Sequence, residues 1–178
     1  MKKRLALLLL FAVLAGGSIL ISTAKGTADI PLGEIFAILG GTRDTAHAQI
    51  LWNIRLPRTI VAALVGINLS LSGAILQAIL RNPLADPHII GISSGAGLAG
   101  IFIMLVLPGA ALLITPGAFV GAMIAAALIY ILAWKDGIRP TRIILAGVAV
   151  SAFLGAGISA MMILYSDRVH SALMWMVG

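Results

Sequence analysis

The sequence predicts an all-α polytopic membrane protein with about five transmembrane helices. Of its 178 residues 61% are hydrophobic and 10% charged, against roughly 45–50% apolar and about 25% charged in soluble domains. Mean hydropathy is +1.12. The apolar residues fall into runs of about 20, the length that a rise of about 1.5 Å per residue needs to cross a hydrocarbon core about 30 Å thick. Lysine and arginine cluster at the ends of those runs, where headgroups and orientation account for a net charge of +6. That placement argues against nucleic acid as a partner. The chain has no cysteine, which excludes disulfides and thiolate metal sites.

The predicted spans are 5–24, 59–80, 88–107, 109–134 and 143–165. The first follows Lys2-Lys3-Arg4, which sets the N-terminus in the cytoplasm. Its end, Ser22-Thr23-Ala24, also fits a small-x-small signal cleavage site, but the run is long for a signal core, favouring an uncleaved span. Threading from there leaves Lys2, Lys3, Arg4, Arg81, Lys135, Arg139 and Arg142 inside, and Lys25, Arg43, Arg55, Arg58 and Arg168 outside. The inside excess is small because Arg55-Leu56-Pro57-Arg58 lies outside. One reading makes the pair a headgroup anchor, with Pro57 as a helix-start residue. In the outer loop, Leu32, Ile35, Phe36 and Leu39 have the i, i+3, i+4, i+7 spacing of an amphipathic surface helix closed by Gly40-Gly41.

Within the spans, Gly66, Ser70, Gly73 and Gln77 share a stripe of the second, which predicts a helix buried among others. The third begins Gly91-Ile92-Ser93-Ser94-Gly95-Ala96-Gly97, too glycine-rich for an exposed regular helix; tight packing and a partly broken start are expected. The fifth carries Gly147, Ser151, Gly155 and Ser159 at intervals of four, suited to a packing groove or to the wall of a conduit. No span has an ionisable residue at its centre, which gives proton or sodium coupling little support. The chain lacks a G-x-x-x-x-G-K-[ST] phosphate loop and an H-E-x-x-H pair, so it is not read as an enzyme. Between spans two and three, Asn82-Pro83-Leu84-Ala85-Asp86-Pro87 reads as a stiff non-helical link, in which Arg81 and Asp86 are placed to pair.

Arg55-Leu56-Pro57-Arg58, Gly73-Ala74-Ile75-Leu76-Gln77, Asn82 to Pro87, Gly91 to Gly97, Leu145-Ala146-Gly147-Val148-Ala149 and Trp175-Met176-Val177-Gly178 occur in this order. Together they resemble the FecCD family, the permease subunits of type II ABC importers for iron-siderophore complexes, haem and cobalamin. The resemblance implies half of a roughly ten-span permease in a bacterial cytoplasmic membrane. Residues 1–178 would form the N-terminal part of one transmembrane domain, with the C-terminal half and its ATPase-coupling loop absent. It also implies a second permease subunit, two cytoplasmic ATPase subunits carrying ATP and Mg, an extracytoplasmic substrate-binding protein, and no cofactor in this chain. Arg55 and Arg58 match the arginines that dock the binding protein through acidic residues, a task suited to a permanently charged bidentate fork. Asn82 and Leu84 match the cytoplasmic gate. Pro140 and Thr141 occupy the second gate position, where another member has small hydroxyl residues. Gly147, Ser151, Gly155 and Ser159 match a pathway-lining helix. The implied cargo is an iron(III)-siderophore. Haem, cobalamin and a truncated, non-transporting remnant are the alternatives.

Overall fold

The computed structural model describes residues 2–26, 28–42, 44–135, 137 and 139–177. Arg43 of the outside charge tally and Gly178 of the last motif lie outside the described residues. The secondary structure of the described residues is helical, and the chain divides into two units, Met1–Ser70 and Leu71–Gly178.

In the first unit α1 (Lys2–Ala24) leads through a short link to α2 (Leu32–Leu39) and α3 (Ala46–Ile50). At 23 residues α1 is about 34 Å long, enough to span. Thr45 caps α3 by accepting from the Ala48 N–H at 3.1 Å. Helix α2 ends where the Gly40 N–H reaches the Phe36 carbonyl at 2.9 Å. The core of this unit is Ile30, Ile35, Ile38, Ala48 and Leu51. Only Ile35 of the predicted α2 stripe enters it, while Leu32, Phe36 and Leu39 remain exposed. His47 Nδ1 lies 2.8 Å from Glu34 Oε1 and ties α3 to the polar side of α2.

Pro57 does not start a helix. Helix runs unbroken from Ala46 to Leu80, through α3, a π-helical turn (Leu51–Arg55) and α4 (Leu56–Leu80). Proline cannot donate to the carbonyl four residues back and its ring crowds that carbonyl. The π turn, in which the Leu56 N–H bonds to Leu51 O, widens the ladder immediately before the ring. The α4 stripe differs along its length. Gly66 has no atom within 4 Å of an added Cβ. Ser70 Oγ and Asn68 Nδ2 donate to the helix's own carbonyls of Gly66 and Leu64, each at 2.8 Å. Further along the stripe, Gln77 Nε2 donates to the Ala85 carbonyl of the following link at 3.5 Å, and a Cβ on Gly73 would meet Pro87.

In the second unit the end of α4 is followed by α5 (Pro87–Ile90), α6 (Ile92–Val106), a 3-10 turn (Ala111–Leu113), α7 (Ile114–Ala133), α8 (Pro140–Leu164), a second 3-10 turn (Ser166–Arg168) and α9 (Val169–Val177). The predicted third span is broken near its start by Gly91, whose φ of +83° ends α5 in the left-handed region that side chains disfavour. Helix α6, with 15 residues, is about 22 Å long and shorter than a full crossing. Its glycines serve close packing. A Cβ on Gly95 would stand 2.4 Å from the Gly121 carbonyl oxygen of α7, and one on Gly100 would stand 2.5 Å from the Trp175 ring of α9. Ile101, Leu105 and Ala172 close the α6–α9 contact, and Ile90, Ile129 and Val150 form a second cluster at α5, α7 and α8.

Candidate functional site

The expected site residues lie in three places. At the end of α1, Arg55 and Arg58 stand in different environments although both belong to one helical run. The π turn carries Arg55 inward until the residue is 8% exposed. Its Nη1 donates to Thr23 O at 2.8 Å and Ala24 O at 3.0 Å, and its Nη2 donates to Ala28 O. These carbonyls belong to the last turn of α1 and the link beyond, where the helix leaves acceptors unmet and its dipole favours a cation. Arg55 is therefore a C-terminal clamp on α1, a role that the sequence reading missed. A buried arginine 31 residues from a helix end has no local signature in sequence. The neighbouring hydroxyls of Ser22 and Thr59, 3.1 Å apart, fasten the same junction. Arg58 is exposed and takes part in none of these bonds. Beside the clamp Lys25 Nζ and Asp29 Oδ2 pair at 2.9 Å. The hydrogen bond and the charge of Lys25 hold the Asp29 carboxyl below the ordinary range.

The second place is the link after α4. Asn82 Oδ1 accepts from the Leu84 N–H at 2.9 Å, closing an Asx turn. Asp86 Oδ1 accepts from the His88 N–H at 2.7 Å and caps α5, with Pro87 in its first turn. Asp86 thus serves a backbone group, and no ion pair joins it to Arg81 among the described residues. Arg81 instead turns the chain with a φ of +48°. Leu84 is held outward and is 81% exposed. Pro140 and Thr141, expected ahead of the fifth span, are the first residues of α8, with Pro140 in the position where a missing N–H costs nothing. Both are exposed.

The third place is the α8 stripe, which divides in two. Gly147 lies under the Ile90 carbonyl, 2.5 Å from where its Cβ would be, and Ser151 Oγ lies 1.6 Å from the position of a Cβ on Gly91. This half is the seat of the α5–α6 break. Ser151 Oγ is buried there without a hydrogen-bond partner. One turn further along, Gly155 has nothing within 4 Å, and Ser159 is exposed, its hydroxyl donating to Gly155 O at 3.1 Å.

Apolar helices of membrane length, joined by capped polar links, define a polytopic α-helical integral membrane protein. More specifically, the chain belongs to the FecCD transport family, whose profile matches residues 8–178. It is 38% identical over 178 residues to the Fe(3+)-citrate import system permease protein YfmE of Bacillus subtilis, covering 99% of this chain and 53% of that protein. It is 40% identical over 177 residues to the achromobactin transport system permease protein CbrC of Dickeya dadantii, covering 98% and 49%. The cobalamin import system permease protein BtuC of Halobacterium salinarum is 42% identical over 140 residues, covering 78% and 37%. A solved structure described as an inward-facing metal-chelate type ABC transporter superposes with a TM-score of 0.76 at 28% identity, covering 98% of this chain and 53% of that one. The chain spans about half the length of the first two relatives and of the solved structure, and its match covers 37% of the third. They are transport components rather than enzymes.

Proposed function

We propose that this chain acts as part of the permease of a binding-protein-dependent ABC importer that moves an iron(III)-siderophore complex into the cytoplasm. The supporting observation is the family match over residues 8–178, reinforced by relatives whose names specify ferric citrate and achromobactin import. In this reading the protein lies in the cell membrane with its N-terminus cytoplasmic, beside a second permease subunit, two ATPase subunits that bind ATP and Mg, and an extracytoplasmic binding protein. Arg58 supplies an exposed guanidinium for carboxylates on the binding protein, and Arg55 holds the junction that presents it. Asn82 and Leu84, with Pro140 and Thr141, form the cytoplasmic gate. Gly155 and Ser159 give the pathway a small, weakly binding wall beyond the Gly147 and Ser151 seat, suited to a large chelate that must enter and leave. The iron remains inside its chelator throughout.

The test is uptake in cells whose own chelate permeases are deleted and which co-express this permease with its ATPase and binding protein. Radiolabelled ferric citrate, a ferric hydroxamate, haem and cobalamin are compared. ATP-dependent accumulation of a ferric chelate is expected. Preference for haem or cobalamin would move the substrate class, and flux that continues after ATP depletion would reject the importer. The cobalamin relative makes cobalamin the second reading.

A further inference from the structure

Helix α2 has three sectors, each with a different environment. Ile35 and Ile38 enter the core with Ile30, Ala48 and Leu51. Gly33, Glu34 and Ala37 form the polar sector, where Glu34 meets His47 at 2.8 Å. Leu32, Phe36 and Leu39 are 52%, 62% and 50% exposed. At about 100° per residue this exposed apolar sector is centred about 90° from the buried one and about 140° from the polar one. A helix lying on a membrane beside its own protein needs this arrangement, with one side on protein, one in lipid and one in water.

Continuity with α1 indicates what covers the sector. The span window of α1 has a mean hydropathy of 2.5 and none of it is buried, the composition of a helix that meets acyl chains up to its last turn. Gly17, Leu20, Ile21 and Ala24 of α1 form, with Ile30 and Leu32, a groove of about 570 Å³ with the Lys25–Asp29 pair at its edge. Leu32 belongs to both the groove and the exposed sector. An apolar interior with a charged edge matches an amphiphile. A second protein copy fits poorly, because three side chains offer on the order of 300 Å², below the roughly 800 Å² per partner of a stable interface.

We propose that α2 is an interfacial helix that inserts Leu32, Phe36 and Leu39 among phospholipids of the leaflet at the C-terminal end of α1. One acyl chain lies in the adjoining groove, with its headgroup at the polar edge formed by the Lys25–Asp29 pair. This proposal does not depend on the transported substrate.

The chain has no native cysteine, so Gly33→Cys, Phe36→Cys, Ala37→Cys and Leu39→Cys each accept a single probe. In phosphatidylethanolamine–phosphatidylglycerol vesicles, nitroxides at 36 and 39 should collide several-fold more with oxygen than with an aqueous nickel chelate, and the ratio should invert at 33 and 37. A bimane at 36 should be quenched more by lipids brominated near the headgroup than by lipids brominated deep in the chain. Dominant aqueous collision at 36 and 39 would overturn the proposal. Exclusion of both reagents there, as under a second protein copy, would also overturn it, as would bimane quenching equal at 36 and 37. The probes occupy exposed positions, and unchanged helix content by circular dichroism confirms the fold in each variant.

Discussion

Arg55 and Arg58 are three residues apart, yet the π turn directs one guanidinium to the end of α1 and leaves the other free. The two predicted outcomes are correspondingly different. Arg55→Ala removes a charged donor from the carbonyls of Thr23, Ala24 and Ala28. Charge-assisted bonds contribute about 1.5–3 kcal/mol each and are not additive, so a loss of about 2–4 kcal/mol in detergent unfolding is expected. Arg58→Ala, at an exposed site, should change stability by no more than about 0.5 kcal/mol. Under the proposed function, Arg58→Glu should abolish capture by the binding protein while membrane insertion is unchanged. Equal loss of stability in the two alanine variants would reject the division of roles. The sequence showed that an arginine pair stood at a membrane boundary. It did not show which member faced inward, because that depends on a π turn and on acceptors about 30 residues away.

Helix-scale features were legible where the signal was local. The proline-flanked link, the Asp86 cap with Pro87 behind it, and the glycine-weakened start of the third span follow from backbone rules acting over a few residues. The small residues of the α4 stripe permit close approach without supplying the neighbour. At the α5–α6 break the permission is used. Gly91 has a φ of +83° and its Cα faces Ser151 Oγ. Gly91→Ala imposes the left-handed penalty of about 1–2 kcal/mol and also drives a methyl into Ser151 and the Gly147 carbonyl. A total of about 3 kcal/mol or more is expected for the single variant. Adding Ser151→Ala should relieve the clash with the hydroxyl and leave the backbone part and the tighter contact with the Gly147 carbonyl, so a double-mutant cycle will show a favourable coupling of about 1 kcal/mol or more. A cycle with no coupling would mean that the break does not rest on Ser151.

For the whole molecule, the weak inside excess of positive charge changes meaning once the partners of these charges are known. Of the five cations assigned to the outer side, Lys25 is paired with Asp29 and Arg55 is buried on the carbonyls after α1. Arg168 donates to Leu105 O near the end of α6 at 3.0 Å, and Arg43 is outside the described residues. Arg58 is left, among the described residues, with no hydrogen bond or ion pair. The positive-inside rule counts charges available to headgroups and the insertion machinery, and a charge held on a helix end in the folded protein no longer needs a headgroup. The same distinction between occupied and available groups applies to the α8 stripe and gives a test of the pathway. Ser151→Cys and Ser159→Cys are near-isosteric, and residues 1–178 carry no native thiol, so the same transporter without either substitution serves as the labelling blank. In the assembled transporter in membranes, a charged, water-soluble thiosulfonate should modify Cys at 159 and leave Cys at 151 untouched, because Ser151 Oγ is sealed against Gly91. Modification at 159 should slow chelate uptake at least tenfold and be retarded by excess chelate delivered on the binding protein. Protection by chelate distinguishes a pathway wall from a surface that merely meets water. If 159 resists the charged reagent but reacts with a membrane-permeant maleimide, this half of α8 faces lipid or another helix, and the conduit lies elsewhere.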